Sequence, residues 1–350
     1  MMLNEEAIEQ VKLKKPSLMM VLSAALIAAV LINITIGSYG LSISKILAIL
    51  CGQIGLGLPW EYASHEEGIL LSIRMPRVVL GAFVGAALGI SGAVLQALFR
   101  NPLAEPGLIG VSGGAALFAV AYIVLGFGMV AGFMLPLIAF LGGVCATLLI
   151  YLLSRRTSGD KVASMLLIGI AINAISMSGI GIFQFISDET QLRLLTFWMM
   201  GGLGSATWDG ILPSLILISF GVVFICRSAV PLNAYLLGVA EAGHLGVDTK
   251  KLTKVVILSV ALVVGASVAV SGIISFVGLV VPHIIRQFSG PDHRLVIPAS
   301  ALLGATLTLV ADLAARIIVM PAELPIGLVC SAVGGPFFLW LLLTTRRGRF

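Results

Sequence analysis

Three arginines stand at the ends of apolar stretches: Arg74 and Arg77, flanking Met75-Pro76, and Arg316, four residues after Asp312. A guanidinium offers its donors in a planar fork that meets a carboxylate at two points, so the three could form a docking patch for an acidic surface. They could instead be snorkelling anchors, with Asp312 and Arg316 forming an i,i+4 pair. The stretch Asn101-Pro102-Leu103-Ala104-Glu105-Pro106-Gly107 makes a tight turn from proline and glycine alone, and its rigidity would also suit a gate. Asn173, Ser176 and Ser178 interrupt an apolar run. Polar groups in such a place face protein or a wet cavity, so helix–helix hydrogen bonding and pathway lining both stay open. Glu323-Leu324-Pro325 and Gly334-Gly335-Pro336 imply an irregular last helix.

Catalytic constellations are missing from the sequence. No G-x-x-x-x-G-K-[ST] loop occurs, nor any Gly-Lys dipeptide, so no phosphate-cradling loop of that kind is expected. There is no H-E-x-x-H, and His65, His244, His283 and His293 are scattered, so no metal site is expected. Cys51, Cys145, Cys226 and Cys330 are far apart and form no C-x-x-C, which indicates neither zinc nor a disulfide framework.

The elements that must position these residues are apolar. The chain has 350 residues, 59% hydrophobic and 11% charged, with mean hydropathy +1.12, where a soluble domain would carry about 25% charged residues. A bilayer core about 30 Å thick needs roughly 20 apolar residues per helix. Ten such stretches lie near 17–37, 77–99, 107–127, 132–154, 162–186, 210–226, 254–271, 272–289, 295–314 and 325–344. The apolar run from Lys254 to Gly290 is long for one span and short for two, and Ser271-Gly272 is the expected break. In the second span Gly81, Gly85 and Gly89 recur every four residues, a stripe that lets two backbones approach closely in lipid. The N-terminal MMLNEEAIEQVKLKK does not read as a secretory leader, so the first apolar run is expected to be retained.

Charge sets the orientation. With ten spans and an inward N-terminus, only Lys45, Arg74, Arg77, Arg193 and Arg316 of the 21 cations fall outside, as the positive-inside rule requires. The expected layout is an inward tail at 1–16, one membrane domain at 17–344 with an inward loop at 227–253, and an inward tail at 345–350.

Several ordered segments carry a resemblance: RMPR at 74–77, SGAVLQALFRNPLAEPGLIGVSGGAAL at 91–117, FWMMGGLG at 197–204, the 236–248 loop, SFVGLVVPHIIRQFSGPDHR at 275–294 and ADLAARIIVMPAELPIG at 311–327. Together they resemble the FecCD family, the permease subunits of bacterial ABC importers for iron complexes and cobalamin. LLGVAEAGHLGVD and TFWMMGGLG look closest to the haem-importing members. The resemblance implies an all-α polytopic fold of the type II importer kind, with ten spans per subunit and two subunits around a central pathway. It implies a multi-pass protein of the bacterial cytoplasmic membrane with both termini inside. Its partners would be a second copy of the permease, two ATPase subunits that use ATP and Mg, and an external binding protein, with no cofactor on this chain.

By that match Leu237, Gly238, Glu241, Ala242, His244, Leu245 and Gly246 form the element that docks on the ATPase. Arg74, Arg77 and Arg316 meet acidic groups of the binding protein, Asn101 and Leu103 form an inner gate, and Asn173 and Ser176 line the pathway. The sequence departs at Val239, where the family commonly has Glu, and at Gly243, where haem-type members often have Arg. Gly243 also lowers helix propensity by about 1 kcal/mol relative to alanine.

The expected function is inward transport of haem or a ferric siderophore, with cobalamin as the alternative cargo. An ion-coupled secondary transporter is the rival from another class. It would need an ionisable group near mid-membrane, whereas Asp312 and Glu323 lie near span ends. An intramembrane enzyme would need an acid pair, a nucleophile with its base, or a metal set.

Overall fold

A computed structural model describes residues 15–345 apart from 38, 127–132 and 158–160. The expected tails at 1–16 and 345–350 lie almost wholly outside the described residues. Among those described there are fourteen α-helices and no strand. They are α1 (Lys15–Thr35), α2 (Ile43–Gly52), α3 (Ser64–Leu98), α4 (Val111–Val124), α5 (Met134–Ser154), α6 (Lys161–Ile186) and α7 (Glu189–Met200). Then follow α8 (Trp208–Arg227), α9 (Ala229–Tyr235), α10 (Val239–His244), α11 (Thr249–Ser271), α12 (Val277–Ser289), α13 (His293–Ile317) and α14 (Ile326–Thr345).

Seven of them (α1, α3, α5, α6, α8, α11 and α13) are long and apolar enough to cross a membrane. The other three expected spans fall on α4, α12 and α14, of which α4 and α12 have only 14 and 13 residues. Helix length therefore supports seven crossings directly, and the expected ten include these shorter pieces. The break foreseen at Ser271-Gly272 is where α11 ends, because Gly272 takes φ 66° and a Cβ there would overlap the Trp198 carbonyl. The chain then runs without helix to Phe276 before α12 begins.

The axis of the fold is α3. In its apolar window 78% of residues are buried, against 17% in α6. Its first turns include a π-helical stretch at Ile69–Arg74. Pro76 cannot donate to the Ser72 carbonyl and its ring crowds that oxygen, which accounts for the looser winding. Below it the glycine stripe meets α13: a Cβ on Gly85 would overlap the Gly304 carbonyl, and one on Gly89 the Ser300 carbonyl. The stripe extends to Gly92, whose Cβ would overlap the Gly278 carbonyl on α12. In lipid, where apolar side chains gain little by leaving their solvent, such backbone contact is what holds helices together.

Candidate functional site

At one end of α3 and α13 the polar groups converge. Arg77 reaches Asp312 twice, with Nε 3.1 Å from both carboxylate oxygens and a terminal nitrogen 2.9 Å from Oδ1. Its other terminal nitrogen lies 2.9 Å from Glu323 Oε2. Arg316 Nε is 3.2 Å from Asp312 Oδ2, the i,i+4 pair allowed by the sequence, though the alignment is too poor for a hydrogen bond. Arg316 also donates to Asn33 Oδ1 and, at 3.1 Å, to the Ile36 carbonyl. Arg74 donates to the carbonyls of Ile34, Thr35 and Tyr39.

These contacts have one logic. A helix leaves its last carbonyls without partners and carries negative charge at that end, and two guanidinium groups satisfy the C-terminus of α1. Arg74 and Arg316 are therefore only 6% and 8% exposed. Of the expected docking residues only Arg77 is paired with an exposed carboxylate, that of Glu323, whose side chain is 48% accessible. Nearby, Lys45 Nζ lies 2.7 Å from Glu66, which also accepts from Tyr39 and from the Ala63 backbone.

At the opposite end α9 and α10 form an arm between α8 and α11. Gly238 joins the two short helices with φ 131°, a backbone conformation that favours glycine, and the Glu241 carboxylate folds back over it. Ala242 is the buried anchor of α10. Around it Leu237, Val239 and Leu245 are 67%, 42% and 62% exposed, and Glu241, Gly243, His244 and Gly246 are exposed as well. Gly246 takes φ 82°, which turns the chain toward Asp248, the residue that caps α11 through the Lys250 and Lys251 amides. The arm thus presents bare apolar side chains beside one carboxylate and one imidazole.

The remaining candidates make local or interhelical bonds. Asn101 Oδ1 accepts from the Leu103 amide at 2.9 Å, closing its own turn, with Leu103 43% exposed. Asn173 donates to the Gly107 carbonyl at 2.9 Å, tying α6 to that same turn region, and Ser176 is buried against α4 near Gly113.

The FecCD transport family profile matches residues 25–344. The chain belongs to the FecCD family. It is 46% identical to the hemin transport system permease protein HmuU of Yersinia pestis over 295 residues, covering 83% of this chain and 88% of that protein. It is 36% identical to the vitamin B12 import system permease protein BtuC of Vibrio parahaemolyticus, covering 91% and 95%. A solved metal-chelate type ABC transporter in an inward-facing conformation superposes with TM-score 0.81 at 29% identity, over 94% of this chain and 99% of that one.

Within this FecCD chain, sequence reasoning missed three polar links. Asn33 sits between α1 and α13, donating to Leu309 as well as accepting from Arg316. Gln96 on α3 donates to the Gly278 and Leu279 carbonyls and accepts from Arg286. Asn233 joins the arm to α13. The first two were detectable as lone amides in apolar runs, where a polar group seeks a protein partner. Asn233 is a lone amide too, between Leu232 and Ala234, but its short apolar run lies between the expected spans rather than within one.

Proposed function

We propose that the chain is the membrane permease of an ATP-driven importer that carries an iron complex, haem or a ferric siderophore, inward across the bacterial cytoplasmic membrane. Cobalamin is the alternative cargo on the same machinery. FecCD membership and the hemin and vitamin B12 permeases among its relatives support that cargo class.

The observation that carries the reading is the arm. Leu237, Val239 and Leu245 are bare at the end of the molecule away from the arginine cluster, and apolar groups clustered beside a carboxylate and an imidazole suit a protein partner. Two ATPase subunits, using ATP and Mg, dock there through Leu237, Gly238, Glu241, Ala242, His244, Leu245 and Gly246. The permease hydrolyses nothing and carries no cofactor. The arm then marks the cytoplasmic side, both termini are inside, and the ten crossings are the seven long helices with α4, α12 and α14.

A second copy of the chain completes the pathway. In α6 Leu167, Ile182 and Phe185 are exposed, and in α14 Val333, Leu339 and Trp340, faces that suit a seam between two subunits. Asn173 and Ser176 lie on the inner side of that seam, and Asn101 and Leu103 form its cytoplasmic gate. An external binding protein docks over Arg74, Arg77 and Arg316. Of the three, Arg77 is the one placed to exchange Glu323 for a partner's carboxylate.

Reconstituted with its ATPase, the chain is expected to take up hemin on addition of ATP and to lose uptake when residues 236–248 are scrambled. Uptake that persisted without the ATPase and collapsed with an uncoupler would overturn the reading.

A further inference from the structure

Asn233 lies on α9, half-buried behind the exposed face of the arm. Its amide nitrogen donates to Asp292 Oδ1 at 2.8 Å. Its oxygen accepts from the His293 backbone N–H at 2.8 Å and lies 2.9 Å from His293 Nδ1. Only this orientation of the amide fits, because the oxygen faces an N–H and the nitrogen faces a carboxylate. Asp292 is the residue that caps α13, accepting from the Arg294 amide at 3.0 Å. His293, the first residue of that helix, is 1% exposed. Both ends of one amide plane are thus fastened to the two residues that begin a single helix, 59 and 60 positions away.

What lies beyond that joint gives it a mechanical meaning. From His293 the helix runs 25 residues, roughly 37 Å at 1.5 Å per residue. Its backbone touches α3 at Gly85 and Gly304 and again at Gly89 and Ser300, with no side chain between to yield. At its far end Asp312 holds Arg77, which holds Glu323. Buried apolar side chains such as Leu232 also seat α9, and apolar contacts are non-directional and can slide. A two-point hydrogen bond cannot slide without breaking.

We propose that Asn233 is the positioning residue that delivers displacement of the arm to α13, and through it to the α3–α13 pair and the arginine cluster at the far end. This deepens the proposed function and rests on the arm being the ATPase-docking element. Asn233 touches neither cargo nor nucleotide in this scheme. It converts a push on α10 into movement of a rigid pair of helices.

The test uses the complete transporter, permease with ATPase and binding protein, in proteoliposomes with hemin as the probe, reading ATP hydrolysed per hemin taken up. Asn233→Ala is expected to co-purify with the ATPase and hydrolyse ATP within about twofold of wild type, while hemin moved per ATP falls at least tenfold. Asn233→Asp sets two carboxylates face to face and is expected to uncouple as well. Adding Asp292→Asn to it restores a donor opposite an acceptor and removes the like-charge contact, but the Arg294 amide loses the Oδ1 it shared with Asn233, so pumping is expected to recover in part, clearly above that of Asn233→Asp alone. A simple structural defect would not be rescued by exchanging the two groups. Wild-type stoichiometry in Asn233→Ala overturns the inference, as does ATPase binding lost in step with transport. If Asn233→Ala does not accumulate, the exchange decides alone, and equal coupling in Asn233→Asp and the double variant overturns it. A wild-type complex that pumps none of hemin, cyanocobalamin or a ferric siderophore brings down the functional reading itself.

Discussion

Arg77 on α3 and Asp312 on α13 form a two-point ion pair, 2.9 Å at its shortest, at the end of the molecule opposite the arm. Asp312 is 2% exposed and stands between two guanidinium groups, so one carboxylate holds together cations that would otherwise repel.

Removing that carboxylate leaves Arg77 with Glu323 alone and Arg316 without an acid. Breaking a buried pair by deleting one partner costs about 3–5 kcal/mol. Asp312→Ala is therefore expected to lower the detergent melting temperature clearly more than Arg77→Met, in which Asp312 keeps Arg316. Equal melting of the two variants would show that the three groups do not share Asp312 as described.

The glycines of the α3–α13 seam contrast with a glycine on an open helix face. Gly85→Ala drives a methyl into the Gly304 carbonyl, and overpacking of this kind costs about 1–3 kcal/mol. Gly181, inside α6, has nothing within 4 Å of the added Cβ. Gly181→Ala is expected to be neutral or to stabilise by up to about 1 kcal/mol through helix propensity. Thermal melts of the two variants side by side check the contrast.

Glu323 occupies Arg77 from the exposed side. Glu323→Gln should free that guanidinium and tighten capture of an acidic binding protein several-fold, with the effect fading as salt is raised. Arg74→Ala should act otherwise, lowering stability because the Ile34, Thr35 and Tyr39 carbonyls lose their donor. Surface plasmon resonance on immobilised permease, with melting curves alongside, distinguishes the two.

Leu237→Ser and Leu245→Ser alter exposed side chains, and surface changes usually shift stability by no more than about 0.5 kcal/mol. If these leucines anchor the ATPase, each should weaken its binding by more than about 1 kcal/mol, or roughly fivefold to tenfold. Pull-down of the ATPase subunit at graded concentration reads this directly, and undiminished binding in both variants would move the docking surface elsewhere.

The sequence made the span positions legible because apolar runs and their interruptions are local. The Ser271-Gly272 break and the glycine stripe could be read for the same reason: positive φ and small volume belong to the residue itself. The arginines were harder. Their types announced an interaction with negative charge, yet Arg74 and Arg316 bond largely to carbonyls at the end of α1 and just beyond it, 35 to 40 and 280 positions away. A helix C-terminus is as negative a target as a glutamate, and no spacing in the chain says which one a guanidinium will find. Asn233 was illegible for a related reason, since its partners become neighbours only when α9 folds against the start of α13. Crossing number was ambiguous because α4 and α12 are shorter than a membrane is thick.

The light burial of α6 bears on biogenesis. If a second copy completes the pathway as proposed, a freshly inserted chain can settle α3 among its neighbours at once, but Leu167, Ile182 and Phe185 must wait in acyl chains until that copy diffuses into reach. Assembly should then be second order in chain concentration at low expression. Substitutions on that face should pass unnoticed in a lone polypeptide and show themselves only as slower pairing and faster removal by membrane proteases.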